Sequence, residues 1–446
     1  MREGKRMSLE SNEENKTPYK TNTSYDKYSR SAGVDSYRRR RRQGRAFAIA
    51  SAIVLIAVIG SAAVMFGSRV LDMPRFWEGT QSQSSGSAEQ EVQQTEITTV
   101  QPSEIKLVAA GDVIINGSAR ESSMNESGGY SYGHLFSEIK GEVSSFDIRV
   151  VNQETNLPGD SFGAGRLKPL NASQSLGNAE MEAGFNVILR ANDHVLDNGY
   201  EGMHNELVWW HDTHPQIPLL GITEPDPETN PGFSDYVNSV YVYDRSGFKI
   251  AILNHTIDVP EEDEETVSPL TEQKIAADVQ KARDAGAQMI VAFPHWGTEN
   301  DTEVTEEQHS FAQAYANNGV DVVIGTHPRV LQAAEVLNGA DGHKTVCFYS
   351  LGCLTSSLEQ QNFVGGLAEV TFVRNEKGEC SIKDPVLKPV VTYRANGKDY
   401  TTYLLSAYTD EIAQRGWDYL MPEAVTQRCS EILGEGYNTE TSELRL

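Results

Sequence analysis

Six short apolar runs, at residues 107–110, 148–151, 187–189, 289–293, 320–324 and 346–348, are each followed by a polar cluster. The clusters read Gly111-Asp112, Asn152-Gln153-Glu154, Ala191-Asn192-Asp193-His194, Pro294-His295-Trp296-Gly297, Gly325-Thr326-His327-Pro328-Arg329 and Tyr349-Ser350-Leu351-Gly352. Short runs without polar alternation fit strands buried on both faces, as in a parallel sheet covered by helices. In open α/β sheets ligands bind beyond the carboxyl ends of such strands. The pattern predicts an α/β domain whose strand ends converge on one polar site.

The segments between these runs support that architecture. Helical periodicity is expected over residues 173–183, 202–212, 271–284 and 306–317, the last two stopping just before Gly286 and Gly319 as C-terminal caps. Hairpins are expected over 239–254, and over 367–373 with 380–385. Two further helical patterns, 409–419 and 422–433, lie in the tail. Strands that alternate with helices, together with antiparallel hairpins, predict a two-sheet α/β/β/α sandwich.

The first hundred residues differ from the rest. Residues 1–45 are polar, with 13 Lys+Arg against 6 Asp+Glu, and cannot bury a core. Residues 46–67 carry no charge. At about 1.5 Å per residue such a helix reaches roughly 33 Å, enough for a hydrocarbon core of about 30 Å. The arginines at 38–42 and 45 place its amino-terminal side in the cytoplasm. The expected organisation is a cytoplasmic disordered basic segment at 1–45, a transmembrane helix as anchor at 46–67 and an extracellular linker at 68–104. A folded domain at 105–376 and a C-terminal extension at 377–446, packing on that domain, follow. The protein is then a single-pass cell-membrane protein with its C-terminal domain extracellular. A cleaved signal peptide is the rival reading, with Ser61-Ala62-Ala63 as the cleavage point.

The net charge of −25 and the +7 of residues 1–45 leave −32 on the remainder. A field of that sign repels phosphate, which argues against nucleic acid as a partner. Cys347, Cys353, Cys380 and Cys429 lack metal-ribbon spacing and leave free thiols or one Cys380–Cys429 bridge.

Asp, Glu, Asn and His at converging strand ends are the donors that hold divalent metals; imidazole suits Zn, Fe or Mn, and carboxylate or amide oxygen suits Mn or Mg. A pair of metals about 3.5–4 Å apart would clamp both oxygens of an in-line displacement. His134, His204, His211, His214, His255, His309 and His343 read as structural, with His211 and His214 solvated.

The ordered set Gly111-Asp112, Asn152-x-Glu154, Asn192-x-His194-x-x-Asp197, His295-Trp296-Gly297-x-Glu299, Gly325-x-His327-Pro328 and Tyr349-Ser350-Leu351-Gly352 resembles the CapA family of bacterial capsule-synthesis proteins. These are associated with poly-γ-glutamate, and their fold is similar to calcineurin-like metallophosphoesterases. The resemblance implies Asp112, Glu154, Asp193, His295 and His327 as metal ligands, with Glu154 bridging. It implies Asp193 and His194 as the pair that binds metal and faces substrate. Asn152, Asn192, Asp197 and Glu299 would support them, Glu299 by orienting a histidine.

Three positions depart from the family pattern. Asp193 stands where the family has Asn, Arg329 where it has a second His, and Cys353-Leu354 where it has Asn-Phe. A guanidinium stays protonated and cannot ligate a metal. The departures imply one divalent ion (Mn, Zn or Fe) rather than two, or none in a degenerate site. Arg329 could itself supply positive charge and clamp an oxyanion bidentately.

The functional expectation is a surface accessory protein beside a membrane polymer-synthetase complex, handling an anionic extracellular polymer such as poly-γ-glutamate. The alternatives are an extracellular metal-dependent phosphoesterase or hydrolase of envelope polymers, and a metal-free interaction module. Arg166, Lys168, Arg190 and Arg329 are the basic residues near the motif loops that could meet a polyanion.

Overall fold

The computed structural model describes residues 101–163, 168–224, 233, 237–257, 259–396 and 399–446. The expected cytoplasmic segment, membrane span and most of the linker lie outside these residues, as does Arg166. Among the described residues no helix is long and apolar enough to cross a membrane.

A mixed sheet starts with β1 (Ser103–Ile114), which pairs in parallel with β2 (Ile148–Asn152). It continues, all parallel, through β3 (Val187–Leu189), β4 (Leu219–Leu220) and β5 (Val237–Asn238). The chain then builds a second mixed sheet from β6 (Val240–Arg245), β7 (Phe248–Thr256), β8 (Met289–His295), β9 (Val322–Ile324), β10 (Ala334–Asn338) and β11 (Lys344–Phe348). Its spatial order is β10-β11-β9-β8-β7-β6. The remaining strands return to the first sheet. β12 (Cys353–Ser356) lies parallel to β1, β13 (Val364–Arg374) lies antiparallel to β1, and β14 (Cys380–Ala395) pairs with β13 and with β15 (Asp399–Leu404).

Period-two alternation decides which side chains each sheet shares. Ile105, Leu107 and Ala109 of β1 meet Ile250, Ile252, Val291 and Phe293 of the second sheet in one central cluster. Val108 and Ala110 point the other way, against Leu176 and Ala179 of α1 (Ser175–Ala183) and Met203, Leu207 and Trp210 of α2 (Gly199–Thr213). The outer face of the second sheet packs Ile290, Ala292 and Val323 on Ile275 and Val279 of α3 (Glu272–Asp284) and on Ala312 and Tyr315 of α4 (Glu306–Asn317). Fully burying a large apolar side chain contributes about 1.5–3 kcal/mol, so these three clusters carry the fold.

Local signals account for the helix ends. Thr271 caps α3 by accepting the Lys274 N–H, and Thr305 with Gln308 forms a capping box on α4. Gly286 and Gly319, at φ +82° and +73°, terminate them.

Elsewhere the local pattern did not decide the outcome. The helix expected over 409–419 stops at Arg415, because Gly416 bridges to Ala395 and Trp417 N–H donates to Arg394 O at the end of β14. The expected division at 376 falls inside the β13–β14 hairpin, whose strands pair from Val364↔Val391 to Arg374↔Cys380. The chain beyond 376 therefore supplies strands of the first sheet. All four thiols are free, with Cys347, Cys353 and Cys429 buried.

Between β8 and β9, the Asp321 carboxylate accepts the Ile290 N–H at 2.7 Å, and burial raises its pKa to about 6. The folded state then holds a proton that the unfolded chain releases near pH 4. That contribution is full below pH 4 and is lost as pH rises through 6. D321N keeps the acceptor without the charge. Its melting advantage over wild type should grow between pH 4.5 and 7.5, reaching about 2–3 kcal/mol. A difference that does not change with pH would count against burial as the cause.

Candidate metal centre

Close backbone approaches bring the strand ends together. A side chain at Gly111 would place its Cβ 1.9 Å from Gly352 O, and one at Gly325 would sit 2.0 Å from Tyr349 O. The Tyr349-Ser350-Leu351-Gly352 motif thus braces β1 against β9 through its main chain: Asp112 N–H donates to Gly352 O at 3.0 Å and Leu351 N–H to Gly325 O at 3.0 Å. Trp296, fully buried, donates Nε1–H to Tyr349 O at 2.9 Å and packs the same junction. His327 and Arg329 are held at φ +98° and +63°, a cost of order 1–3 kcal/mol each that such bracing sustains.

Five of the predicted ligands meet at this junction. Asp112 accepts Asn152 Nδ2–H at 2.7 Å and the His327 backbone N–H at 3.2 Å. Asp193 Oδ1 lies 3.1 Å from His295 Nε2 and 3.7 Å from His327 Nδ1, and the two imidazole nitrogens are 3.1 Å apart. Donor atoms of Asp193, His295 and His327 lie within 4.8 Å of one another, as do those of Asp112, Glu154 and His295, and those of Glu154, Asp193 and His194. Asp112, Glu154 and His295 are fully buried, whereas the Asp193 carboxylate is 21% exposed and opens the site to solvent.

The supporting residues set tautomers and charge. His295 Nδ1 lies 2.9 Å from Thr326 Oγ1, leaving Nε2 facing Asp193 and His327. Asp197 Oδ2, 2.7 Å from His194 Nδ1, also accepts the Leu170 N–H at 2.8 Å. With its proton on Nδ1, His194 presents the Nε2 lone pair to the site. Asn192 Oδ1 accepts the His194 N–H at 3.2 Å, fixing the loop. Burial and the neighbouring His327 lower the His295 pKa, so the imidazole is neutral, the form that ligates metals. Burial, then Asp112 and Asp193, push Glu154 well up, against the partial relief of Arg329. Burial would also raise Asp193, but the adjacent imidazoles of His295 and His327 carry it well below the usual carboxylate range.

Two expectations are corrected here. Glu299 does not orient a histidine; its Oε2 accepts Arg329 Nη1–H at 2.8 Å. Arg190 does not face solvent or a polyanion. It is fully buried, pairs with Glu206 at 2.9 Å through Nε, and donates to Gln153 O and Asn156 Oδ1. Lys168 is exposed. Outside the site His255 is buried between Asp278 and Tyr315, while His214 packs on Trp209 and Trp210. Thr326 and Glu206 were not singled out from the sequence. Thr326 lies within a motif that was, whereas Glu206 sits in an ordinary helical pattern that marks it in no way.

The donor set fits a divalent cation. Glu154 Oε2 is buried without a hydrogen-bond partner, an arrangement a cation would satisfy. The mixture of carboxylates with imidazoles suits Mn, Fe or Zn. His295 would hold the ion together with Asp112 and Glu154 on one side or with Asp193 and His327 on the other.

Residues 106–356 match the family described as bacterial capsule synthesis protein PGA_cap. The PGA biosynthesis protein CapA of Bacillus subtilis (strain 168) is 32% identical over 174 residues, 38% of this chain and 42% of that protein. The capsule biosynthesis protein CapA of Bacillus anthracis is 27% identical over 191 residues, 41% of this chain and 43% of that protein. The chain thus spans less than half the length of these relatives. A crystal structure of a phosphatase from Mycoplasma pneumoniae aligns with 65% of this chain and 95% of its own, at 14% identity and a TM-score of 0.40. The family match covers more than half of the chain and takes in Asp112, Glu154, His194, His295, His327 and Arg329, so this protein belongs to the bacterial capsule synthesis family PGA_cap.

Proposed function

We propose that this protein works at the outer cell surface in the biosynthesis of an anionic capsule polymer such as poly-γ-glutamate. Residues 46–67 would anchor it beside a membrane polymer synthetase. The observation that carries the reading is the family match over 106–356, whose motif residues meet at one buried centre. The acidic remainder of the chain disfavours a broad polyanion groove, so contact with the polymer concentrates at the metal position and exposed Lys168. A bound divalent ion supplies a Lewis acid and a water of lowered pKa. The chain's own part is to hold that ion, keep His194 in its Nδ1–H form through Asp197, and open the site on the side of Asp193.

A strain lacking the protein should lose surface polymer. Wild type should restore it, and D193A should restore less than about a tenth, as loss of a ligand predicts. Normal polymer in the deletion strain would sink the capsule role; full rescue by D193A would make the centre irrelevant to it. A second reading, a metal-dependent hydrolase of envelope polymers, is favoured by the set of three carboxylates and three imidazoles. It requires shortening of isolated polymer by the metal-loaded protein and its absence with D193A.

A further inference from the structure

We propose that Arg329 is a resident cation standing in the second metal position, so that the centre takes one divalent ion and not two. The inference rests on the metal-centre reading above but not on the capsule role. Of the three donor groups, the one formed by Glu154, Asp193 and His194 is already occupied by a guanidinium: Arg329 Nη2 lies 3.3 Å from Glu154 Oε1 and 3.1 Å from His194 Nε2. An arginine can only donate, so His194 Nε2 accepts from it, while Nδ1–H donates to Asp197. The contact is therefore N–H···N, a hydrogen bond where a ligand bond to a metal would otherwise form.

The arginine is built into this place. Its other terminal nitrogen, Nη1, is tied to Glu299 at 2.8 Å. Its left-handed backbone is held by Asn362 Nδ2–H donating to Arg329 O at 3.2 Å, while the Asn300 N–H donates to Pro328 O at 2.8 Å. The side chain is 6% exposed, too enclosed to swing out without breaking these contacts.

The test is a count of Mn2+ on the full chain after saturation and desalting, with electron paramagnetic resonance of the loaded protein. Wild type should hold one Mn2+ with the six-line spectrum of an isolated ion. R329H, which replaces the guanidinium with a ligand beside Glu154 and His194, should hold two and show spin coupling. Two ions or a coupled spectrum in wild type would overturn the proposal, as would no ion at all, or a folded R329H that still holds one. If R329H does not fold, the wild-type count and spectrum decide alone. Surface polymer is measured separately, so loss of the capsule role and loss of this stoichiometry are told apart.

Discussion

H295A should weaken Mn2+ binding by more than about 100-fold, with circular dichroism unchanged, while T326V should cost about 10-fold. His295 is the one imidazole shared by two of the three donor groups among the described residues, so its loss removes a ligand from both. Its ring is fully buried at the end of β8, where Thr326 Oγ1 lies 2.9 Å from Nδ1 and Asn152 Nδ2 lies 3.4 Å from it. Thr326 touches only the far side of the ring, so T326V should loosen the orientation and leave the donor in place. The graded pair separates a metal centre from a hydrogen-bonded cluster, because a metal-free cluster gives no Mn2+ binding to grade. Equal affinities in wild type and H295A, measured by titration calorimetry, would remove His295 from the centre.

R190M should destabilise the protein by about 3–5 kcal/mol. The melting temperature should fall by about 4–7 °C. Arg190 is fully buried, and its guanidinium satisfies Glu206, Gln153 O and Asn156 Oδ1 together. Methionine fills much of the volume but leaves the Glu206 carboxylate buried with only Gln153 Nε2–H at 2.6 Å and Leu157 N–H at 2.9 Å. The loss reaches the centre as well, since these contacts join the 153–156 loop carrying Glu154 to the 190–194 loop carrying Asp193 and His194. Asn156 Nδ2–H donates to His194 O at 2.6 Å across the same junction. Mn2+ affinity should fall with stability, and adding E206L should recover part of the stability by removing the unpaired charge. A melting temperature within about 1 °C of wild type, a shift worth less than about 1 kcal/mol, would show that the ion pair contributes little.

The strand ends, the helices and the convergence of Asp112, Glu154, Asp193, His295 and His327 were legible in the sequence. Each rests on neighbours a few residues apart. Apolar runs of three to five residues followed by polar ones, a Thr before a helix and a Gly after it act through backbone dihedrals and one turn of chain, wherever the segment is placed. The family motifs then tied the runs to one site. The roles of Arg190, Glu299 and the Tyr349–Gly352 motif were not legible. Arg190 reads as a surface charge until the core places Glu206, 16 residues on, and Asn156, 34 residues back, around it. Glu299 reads as a histidine's partner until the loop at Arg329 turns the guanidinium toward it. The motif reads as chemistry, yet what it supplies is backbone close enough to exclude a Cβ at Gly111 and Gly325. Those assignments depend on which distant groups share a space closed to water. There an unpaired charge or a lost hydrogen bond costs kilocalories, so the choice of partner belongs to the packed fold and not to spacing along the chain.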